Sequence, residues 1–420
     1  MKSLWTSTLS FPPAVRLLMA NQFAINLAFY MLMPYLAGHL AGALGLAAWA
    51  VGLVLGVRNF SQQGMFLIGG TIADRFGYKA PIMAGCLLRT AGFALLGVVH
   101  SLPVLVIASA ATGFAGALFN PAVRAYLAVE AGERRVEAFA TFNVYYQAGM
   151  LAGPLVGLAL LAADFRLVCL VAAGIFAALT VLQARSLPAR RAAGSSGRES
   201  GVLAQWRAVV ANRPFLLFSL AMIGSYVLTF QIYLALPLAA EDAFGAAGTK
   251  ATSLLFVLSA AVAVAGQLRL TRWAKARWSG HQALVRGLAL MGLAFAPLAL
   301  TSTSGNAAPG LVALAALAAA VVALSAGSAV VYPFEMDTVV SLSGDRLVAT
   351  HYGLYNTVSG IGITLGNLAT GALWDFAQRH HALWLVWTVL VLTGGACASA
   401  VLALARTGRL TTPTARPALA

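Results

Sequence analysis

Twelve long apolar stretches set the strongest limit on what this chain of 420 residues can fold into. Each is about 20 residues long, the length that an α-helix needs to cross a lipid bilayer. Sixty per cent of the residues are apolar and the mean hydropathy is +0.84, more than the core of a soluble domain can bury. The stretches are residues 15–37, 47–70, 80–99, 102–125, 138–162, 165–184, 214–238, 251–270, 282–301, 309–332, 349–373 and 382–405. The sequence therefore predicts an all-α polytopic membrane protein with 12 transmembrane helices.

The basic residues are distributed asymmetrically along the chain. It has 27 Lys and Arg against 12 Asp and Glu, a net charge of +15. When both termini are placed in the cytoplasm, most of the Lys and Arg fall in cytoplasmic turns and tails, and the outer turns hold only Arg166, Lys250 and Arg379. Cytoplasmic loops of membrane proteins carry this excess of positive charge. The charge therefore indicates orientation in a bacterial inner membrane, with no nucleic-acid partner.

One turn between two of the apolar stretches is unusually rich in charge and glycine. The sequence from Gly70 to Lys79 reads GTIADRFGYK, although only 9% of the chain is charged. A Gly-rich turn with both signs of charge lets two helices pack closely and ties their ends to neighbouring helix termini. A turn that only sets topology is the alternative.

This pattern resembles the signature loop between helices 2 and 3 of the major facilitator superfamily of secondary transporters. The resemblance implies the major facilitator fold. It also implies a conformational-coupling motif, which would consist of Gly70, Asp74, Arg75, Gly77 and Lys79.

The chain repeats itself with an offset of 212 or 213 residues. The matching pairs are Pro121 and Pro333, Gly132 and Gly344, Asn143 and Asn356, Gly149 and Gly362, and Gly153 and Gly366. Between the copies lies the only sizeable polar segment, which is basic and contains Gly194 and Gly197. We therefore expect a six-helix half at 1–184, a cytoplasmic linker at 185–213 and a second half at 214–420, with a site at the interface of the repeats. The end of the linker forms either a helix on the membrane surface or a lead-in to the seventh span.

The fifth span contains a second motif, formed by Gly149, Gly153, Pro154 and Gly157. Gly at every fourth position lets another helix approach closely, and Pro154 removes a backbone donor. The motif resembles the Gly-x-x-x-Gly-Pro-x-x-Gly element of drug:proton antiporters in the same superfamily, which implies export. A close-packed helix pair is the simpler interpretation.

Three further segments resemble a multidrug-resistance branch of these antiporters. They read RNFSQQG from Arg58, RTAGFA from Arg89 and DFRLVC from Asp164. Two positions depart from that branch. Ala20 stands where an acidic residue is expected in the first span, and Ser109 stands near the place of an Arg in the fourth.

Polar and aromatic residues recur at helical spacing within several spans. In the seventh span they include Tyr226, Thr229 and Tyr233, which we expect on one face of a continuous helix. Such stripes turn away from lipid, towards protein or water. We therefore predict an amphipathic substrate cavity, although each residue alone could equally be a packing contact. The candidates are Asn26, Tyr30, Arg58, Asn143, Gln147, Tyr226, Thr229 and Tyr233.

Arg58 has two interpretations. It lies about 18 Å from the cytoplasmic end of the second span, where a charge costs on the order of 2.5–3.5 kcal/mol. It is either a structural residue bonded to carbonyls and to Gln62 or Gln63, or a functional residue that meets an anionic group.

The acidic residues offer few groups for proton coupling. Glu335 and Asp337 follow Pro333 at the expected cytoplasmic end of the tenth span, and they are the candidates, with solvated interfacial acids as the alternative. His351 is a weaker candidate.

Several classes of chemistry lack a matching pattern. There is no nucleotide-binding loop, no HExxH pattern and no nucleophile elbow, so we expect neither an enzyme nor a driving ATPase. The three Cys show no metal spacing, and no cofactor is expected. The sequence predicts a monomeric inner-membrane transporter that exchanges protons for small amphipathic molecules, in the manner of multidrug efflux. A dedicated siderophore or metabolite exporter, or a transport-inactive sensor or scaffold, are the alternatives.

Overall fold

The computed structural model describes residues 2–190, 201–302 and 310–410, and within these ranges the chain is almost entirely helical, with no strand. The helices are α1 (Lys2–Leu9), α2 (Pro13–Gly38), α3 (Ala48–Gly64), α4 (Phe66–Phe76), α5 (Lys79–Val98), α6 (Leu102–Ala131), α7 (Arg135–Leu161), α8 (Phe165–Ser186), α9 (Val202–Ala211), α10 (Arg213–Phe230), α11 (Ala235–Phe244), α12 (Gly248–Arg277), α13 (Gly280–Leu293), α14 (Ala296–Ser302), α15 (Gly310–Ser343), α16 (Val348–Arg379) and α17 (Trp384–Arg406).

Each of the twelve predicted spans coincides with a helix or with two consecutive helices. Among the described residues, nine segments are long and apolar enough to cross a membrane, and one of them, Leu102–Leu161, covers two predicted spans. The second span does not reach this length because the helix is interrupted at Met65. The eleventh, α16, has 32 residues but a less apolar composition. The all-α polytopic architecture is therefore the one predicted from the sequence.

Two predicted spans differ from the structure in a way that bears on the candidate residues. The tenth span does not end at 332, because α15 continues through Pro333 to Ser343; membrane helices tolerate an internal Pro when neighbours satisfy the freed backbone. The seventh span is not continuous. Its helix α10 ends at Phe230, and a 3₁₀ turn at Gln231–Tyr233 precedes α11. Pro237 explains this break, because its backbone nitrogen has no hydrogen to donate to the carbonyl of Tyr233 and its ring clashes with that carbonyl.

The chain forms two compact units. The first contains residues 1–211 together with Asp345–Thr357, and the second contains residues 212–344 and 358–420. The first helical turns of α16 thus belong to the first unit, which simple division of the chain into halves does not anticipate. The boundary near residue 211 falls within the predicted linker. Gly194 and Gly197 of that linker lie outside the described residues.

The end of the predicted linker is a helix that packs on the signature loop region. Within α9, Gln205 and Val209 are buried, and the Trp206 indole donates a hydrogen bond of 2.9 Å to the Thr71 hydroxyl in α4. This helix is therefore held by a specific side-chain contact within the first unit.

The two units pack their helices in the same pattern. In the first, α5 contacts α6 and α8, α3 contacts α6, and α2 contacts α8; in the second, α13 contacts α15 and α17, α12 contacts α15, and α10 contacts α17. The turns that follow α6 and α15 also match, because Gly132 and Gly344 both have positive φ, +52° and +59°. The sequence repeat is thus a structural repeat of six spans.

Candidate functional site

The carboxylate of Asp74 caps the start of α16. It accepts hydrogen bonds from the amide of Ala349 (3.1 Å), the amide of Thr350 (2.7 Å) and the Thr350 hydroxyl (2.7 Å). The first amides of a helix have no partner within the helix and carry partial positive charge. A carboxylate there is worth about 0.3–2 kcal/mol. The contact expected from the sequence is therefore made within the first unit.

Gly70 permits this contact because a larger residue would collide with α16. A Cβ atom on Gly70 would lie 2.1 Å from the Ala349 carbonyl oxygen. A Cβ atom on Gly353 in α16 would likewise lie 2.4 Å from the Phe66 carbonyl oxygen. The backbones of α4 and α16 approach each other on both sides through glycine.

The other charged end of the loop contacts a helix C-terminus. Lys79 Nζ donates a hydrogen bond of 2.8 Å to the carbonyl of Ala184 in the last turn of α8. Between the two contacts the chain turns at Gly77, which has φ +86°. The loop thus places a carboxylate at a helix start and an ammonium at a helix end, the favourable arrangement for helix dipoles. Arg75 lies in the last turn of α4 and is partly exposed.

Asp74 titrates nearer to neutrality than an exposed aspartate. Burial raises the pKa of its carboxyl from 3.8 to about 6, while the hydrogen bonds from Thr350 and Ala349 act in the opposite direction. The carboxylate is therefore a group whose charge changes close to physiological pH.

The glycine stripe of α7 packs directly on α2. A Cβ atom would lie 2.4 Å from the Phe23 carbonyl oxygen at Gly149 and 2.1 Å from the Met31 carbonyl oxygen at Gly157. At Gly153 it would lie 2.7 Å from the Tyr30 Cβ. The Tyr35 hydroxyl of α2 donates a hydrogen bond of 2.7 Å to the carbonyl of Pro154. The motif therefore creates a helix pair that no larger residue allows.

The equivalent pair exists in the second unit. Cβ atoms on Gly362 and Gly366 of α16 would lie 2.4 Å and 2.6 Å from side-chain atoms of Ile223 and Val227 in α10. The repeated glycines thus serve the same helix pairing in both repeats, although α10 opposes them with branched side chains rather than backbone.

Polar candidates of the first unit lie along α2 and α7. The hydroxyls of Tyr30 and Tyr146 are 3.4 Å apart, and Asn26 is buried and donates to the Gln22 carbonyl at 2.7 Å. Asn143 is also buried, whereas Gln147 is partly exposed on the same helix. The structure thus brings Tyr30 and Tyr146 together.

Arg58 and Arg89 share one aromatic partner. The guanidinium carbon of Arg58 lies 5.2 Å from the centroid of the Phe29 ring, and that of Arg89 lies 5.1 Å from the same centroid. Arg89 also lies 5.3 Å from the ring of Phe176. Arg58 donates to the side-chain oxygen of Asn59, rather than to the glutamines that the structural interpretation names. Each cation–π contact is worth about 0.5–2 kcal/mol and leaves the positive charge in place.

The candidates of the seventh span do not form a single stripe. Tyr226 and Thr229 lie on α10, where the Thr229 hydroxyl donates to the Ser225 carbonyl at 2.8 Å. Tyr233 lies in the 3₁₀ turn beyond the helix end, where its ring contacts those of Phe230 and Phe256. The prediction that Tyr233 continues the helical face is therefore wrong, because the turn changes the residue spacing.

Glu335 and Asp337 lie inside α15 rather than at its end. Eight residues separate Glu335 from Ser343, which is about 12 Å of helix. Glu335 is buried, with 3% of its surface exposed, and Asp337 is partly exposed. The interpretation of Glu335 as a solvated interfacial acid is therefore wrong.

Three contributors to these contacts were missed by sequence reasoning. Phe29 is one of 21 Phe in an apolar chain, and nothing in its spacing marks it as a partner of two arginines. Thr350 lies 276 positions from Asp74, so only its place at the start of a span signals the contact. Tyr35, which bonds the Pro154 carbonyl, likewise has no distinguishing signal in the sequence.

Comparison with known proteins identifies the class. The sequence model described as "Major Facilitator Superfamily" matches residues 18–367, and the chain therefore belongs to the major facilitator superfamily of membrane transporters. It is 57% identical, over 90% of each chain, to an uncharacterised MFS-type transporter of Mycobacterium tuberculosis. It is 30% identical, again over 90% of each, to the multidrug resistance protein MdtH of Salmonella arizonae. The crystal structure of the Escherichia coli fucose:proton symporter FucP shares the fold, with a TM-score of 0.72 over 92% of this chain and 97% of that one at 15% identity.

Proposed function

We propose that this protein is a proton-coupled exporter of small amphipathic organic molecules. The observation that carries the proposal is the packing of α7 on α2 through Gly149, Gly153 and Gly157, the element that resembles drug:proton antiporters. The similarity to proteins named for multidrug resistance supports the same direction of transport. In this scheme the helix pair moves as one body while the two repeats alternate access to a cavity.

The signature loop is proposed to set the balance between the two access states. Asp74 holds the start of α16 through three hydrogen bonds, and Gly70 lets the two backbones meet. Contacts of this strength bias two states that differ by a few kcal/mol. Breaking the cap and forming it again would then accompany each transport cycle.

Glu335 is the favoured proton carrier, with Asp337 second. A carboxylate buried in the interior of a membrane helix is energetically costly, and such residues usually mark a proton or substrate pathway. Glu335 meets this description, while Asp337 is more exposed.

The proposed setting is the bacterial inner membrane, as a monomer with both termini in the cytoplasm. The support is the charge asymmetry of the turns. Reporters fused within 186–212 and after Arg406 should indicate the cytoplasm, whereas fusions near residues 43 and 305 should indicate the outside. An outside signal from the segment 186–212 would reverse the proposed orientation and exclude it as a cytoplasmic linker between two halves.

Transport is tested with the purified protein in proteoliposomes. Ethidium uptake into the vesicles and the internal pH, reported by pyranine, are followed after a pH gradient is imposed with the interior acidic. Uptake of an amphipathic probe that dissipates the gradient is expected, and a gradient that couples neither to ethidium nor to a panel of neutral and anionic amphiphiles would contradict proton-driven multidrug export. Accumulation of a native iron chelator in a deletion strain, with drug sensitivity unchanged, would indicate the dedicated siderophore exporter instead.

A further inference from the structure

We propose that Arg58 and Arg89 form a binding site for an oxyanion, so that the preferred substrates are amphipathic organic anions. This inference rests on the proposed export function and specifies its substrate class. It concerns only residues of the first unit, from α2, α3, α5, α7 and α8.

The two guanidinium groups are held by aromatic rings rather than by acids. Both lie about 5 Å from the centroid of the Phe29 ring, at 5.2 Å for Arg58 and 5.1 Å for Arg89. Arg89 is 94% buried, since only 6% of its surface is exposed, and its Nε has no hydrogen-bond partner among the described residues. The Nε of Arg58 is likewise buried and without a partner there.

The carboxylates of the first unit are engaged elsewhere. Those with a described partner are Asp74 with α16, Glu130 with Arg190, Glu137 with Arg134, Asp164 with the Arg166 amide, and Asp345 with Arg135. Glu133 is exposed on a turn. Within the described part of this unit, no ion pair therefore neutralises Arg58 or Arg89.

A purely structural role does not account for two charges at one ring. A single stacked arginine would satisfy the face of Phe29, and a second adds repulsion between like charges in a region of low dielectric. Buried charges persist when they are paired or when they serve a binding or transport step. A bound anion would supply the negative charge that no described carboxylate of this unit provides to Arg58 and Arg89.

The surroundings fit an anion attached to an aromatic or apolar body. Arg58 is partly exposed and is the residue that a ligand would contact. Arg89 is buried beside the same ring, and its charge raises the positive potential at the site. The planar guanidinium fork matches the two oxygens of a carboxylate. Phe29 provides aromatic surface beside Arg58, and its ring contacts that of Tyr30, whose hydroxyl lies 3.4 Å from that of Tyr146.

The test compares three probes that share one apolar body and differ in charge. These are 2-naphthoate, 2-naphthylmethanol and 2-naphthylmethylammonium, titrated calorimetrically into the full chain in phosphatidylcholine nanodiscs without a pH gradient. We expect 2-naphthoate to bind at least about tenfold more tightly than either analogue, the range of one charge-assisted interaction. Equal affinity of the three probes for the wild-type protein would overturn the proposal without any variant.

The variants then assign the preference to residues. Arg58→Gln and Arg89→Gln should reduce 2-naphthoate affinity about tenfold and leave the binding of 2-naphthylmethanol unchanged, with the larger loss for Arg58. Arg58→Lys should retain the preference for the anion and lose part of the affinity. Arg272→Gln is the matched control, since it removes an exposed charge in the second unit. Equal loss for both probes in the Gln variants would show a structural role and overturn the proposal.

A lipid headgroup is the competing source of the anion. Replacing phosphatidylcholine by phosphatidylglycerol should leave 2-naphthoate binding within about twofold; displacement of the probe would assign the pair to lipid and overturn the substrate class. Failure of the proposed function is recognised separately. It would appear as the absence of gradient-driven transport of ethidium, 2-naphthylmethanol and 2-naphthoate alike while the binding preference persists. Gradient-driven transport of these probes without the binding preference would refute the anion site alone.

Discussion

Asp74 and Thr350 are 276 positions apart, yet the Asp74 carboxylate accepts hydrogen bonds from both the amide and the hydroxyl of Thr350, each 2.7 Å long. The carboxylate therefore replaces the missing turn at the start of α16. Because Gly70 lets the backbones meet, this cap is buried enough to alter the titration of the acid. In the proposed transport cycle, this contact is one that breaks and forms again as access alternates.

Asp74→Asn should insert into the membrane normally and transport ethidium at less than about a tenth of the wild-type rate. The carboxylate accepts through both oxygens, Oδ1 from the Ala349 amide and Oδ2 from Thr350, whereas Asn has one acceptor oxygen and would turn an NH2 group towards a donor. The resulting change in the balance between access states, about 0.3–2 kcal/mol, slows the cycle. Initial rates in proteoliposomes, normalised to the amount of folded protein, measure the effect.

Asp164→Asn is the matched control for that experiment. Asp164 also caps a helix start, that of α8, by accepting from the Arg166 amide at 3.2 Å, and Asn caps about as well as Asp. Its transport should stay close to wild type. If Asp74→Asn transports as fast as this control, the loop serves only topology.

The Asp74 contact should also become more populated as the pH falls. The pKa of Asp74 is raised to about 6 in the described conformation and is 3.8 when the group is exposed, so the capped state binds the proton more tightly. Linkage then favours the capped state as the pH falls from about 6 towards 3.8, and removes that advantage above about 6. Hydrogen exchange of the amides at 348–352, corrected for intrinsic rates, should show more protection at about pH 5 than at about pH 7.5.

Asp74→Asn separates this titration from others nearby, because an amide cannot take up the proton. The pH dependence of protection should disappear in the variant. Protection that still rises with acidity to the same degree would mean that another group, such as His351, controls the conformation.

Gly153→Leu should reduce transport to less than about a tenth of the wild-type rate, because overpacking at a close helix contact forces the helices apart. A Cβ atom there would already lie 2.7 Å from the Tyr30 Cβ and 2.9 Å from the Leu27 carbonyl oxygen. Gly174→Leu is the control, since a Cβ atom at Gly174 in α8 meets nothing within 4 Å. Thermal unfolding of both variants shows whether folding is also affected, and wild-type transport by Gly153→Leu would make the motif a superficial resemblance.

The sequence predicts the helices of this fold well because each must supply about 20 apolar residues. It predicts helix ends poorly where a Pro is involved. Pro333 leaves α15 intact as far as Ser343, whereas Pro237 accompanies the break before α11, and the difference depends on which neighbours satisfy the freed backbone. That information lies in tertiary contacts rather than in the local sequence.

The site is predictable only where its chemistry is rare in a membrane. Arg58 stands out because charge inside an apolar stretch is unusual, and Asp74 and Glu335 stand out because the chain has only 12 acidic residues. Phe29 has no such signal, although it holds both arginines. The periodic pattern places Tyr233 incorrectly because it assumes a continuous helix, whereas α10 ends at Phe230.

Glu335→Gln should abolish transport driven by a pH gradient and preserve exchange of substrate across the membrane. Glu335 lies in the interior of α15 with 3% of its surface exposed, and Gln has the shape of the protonated acid without its titration. A permanently neutral carrier can still alternate with substrate bound but cannot return a proton. Gradient-driven uptake of ethidium and its counterflow between loaded vesicles and medium, measured on the same preparation, report the two properties.

Asp375→Asn, which removes an exposed acid of the same unit, should leave both unchanged. Loss of counterflow together with uptake in Glu335→Gln would assign the residue to structure, and retention of both would transfer the coupling role to Asp337.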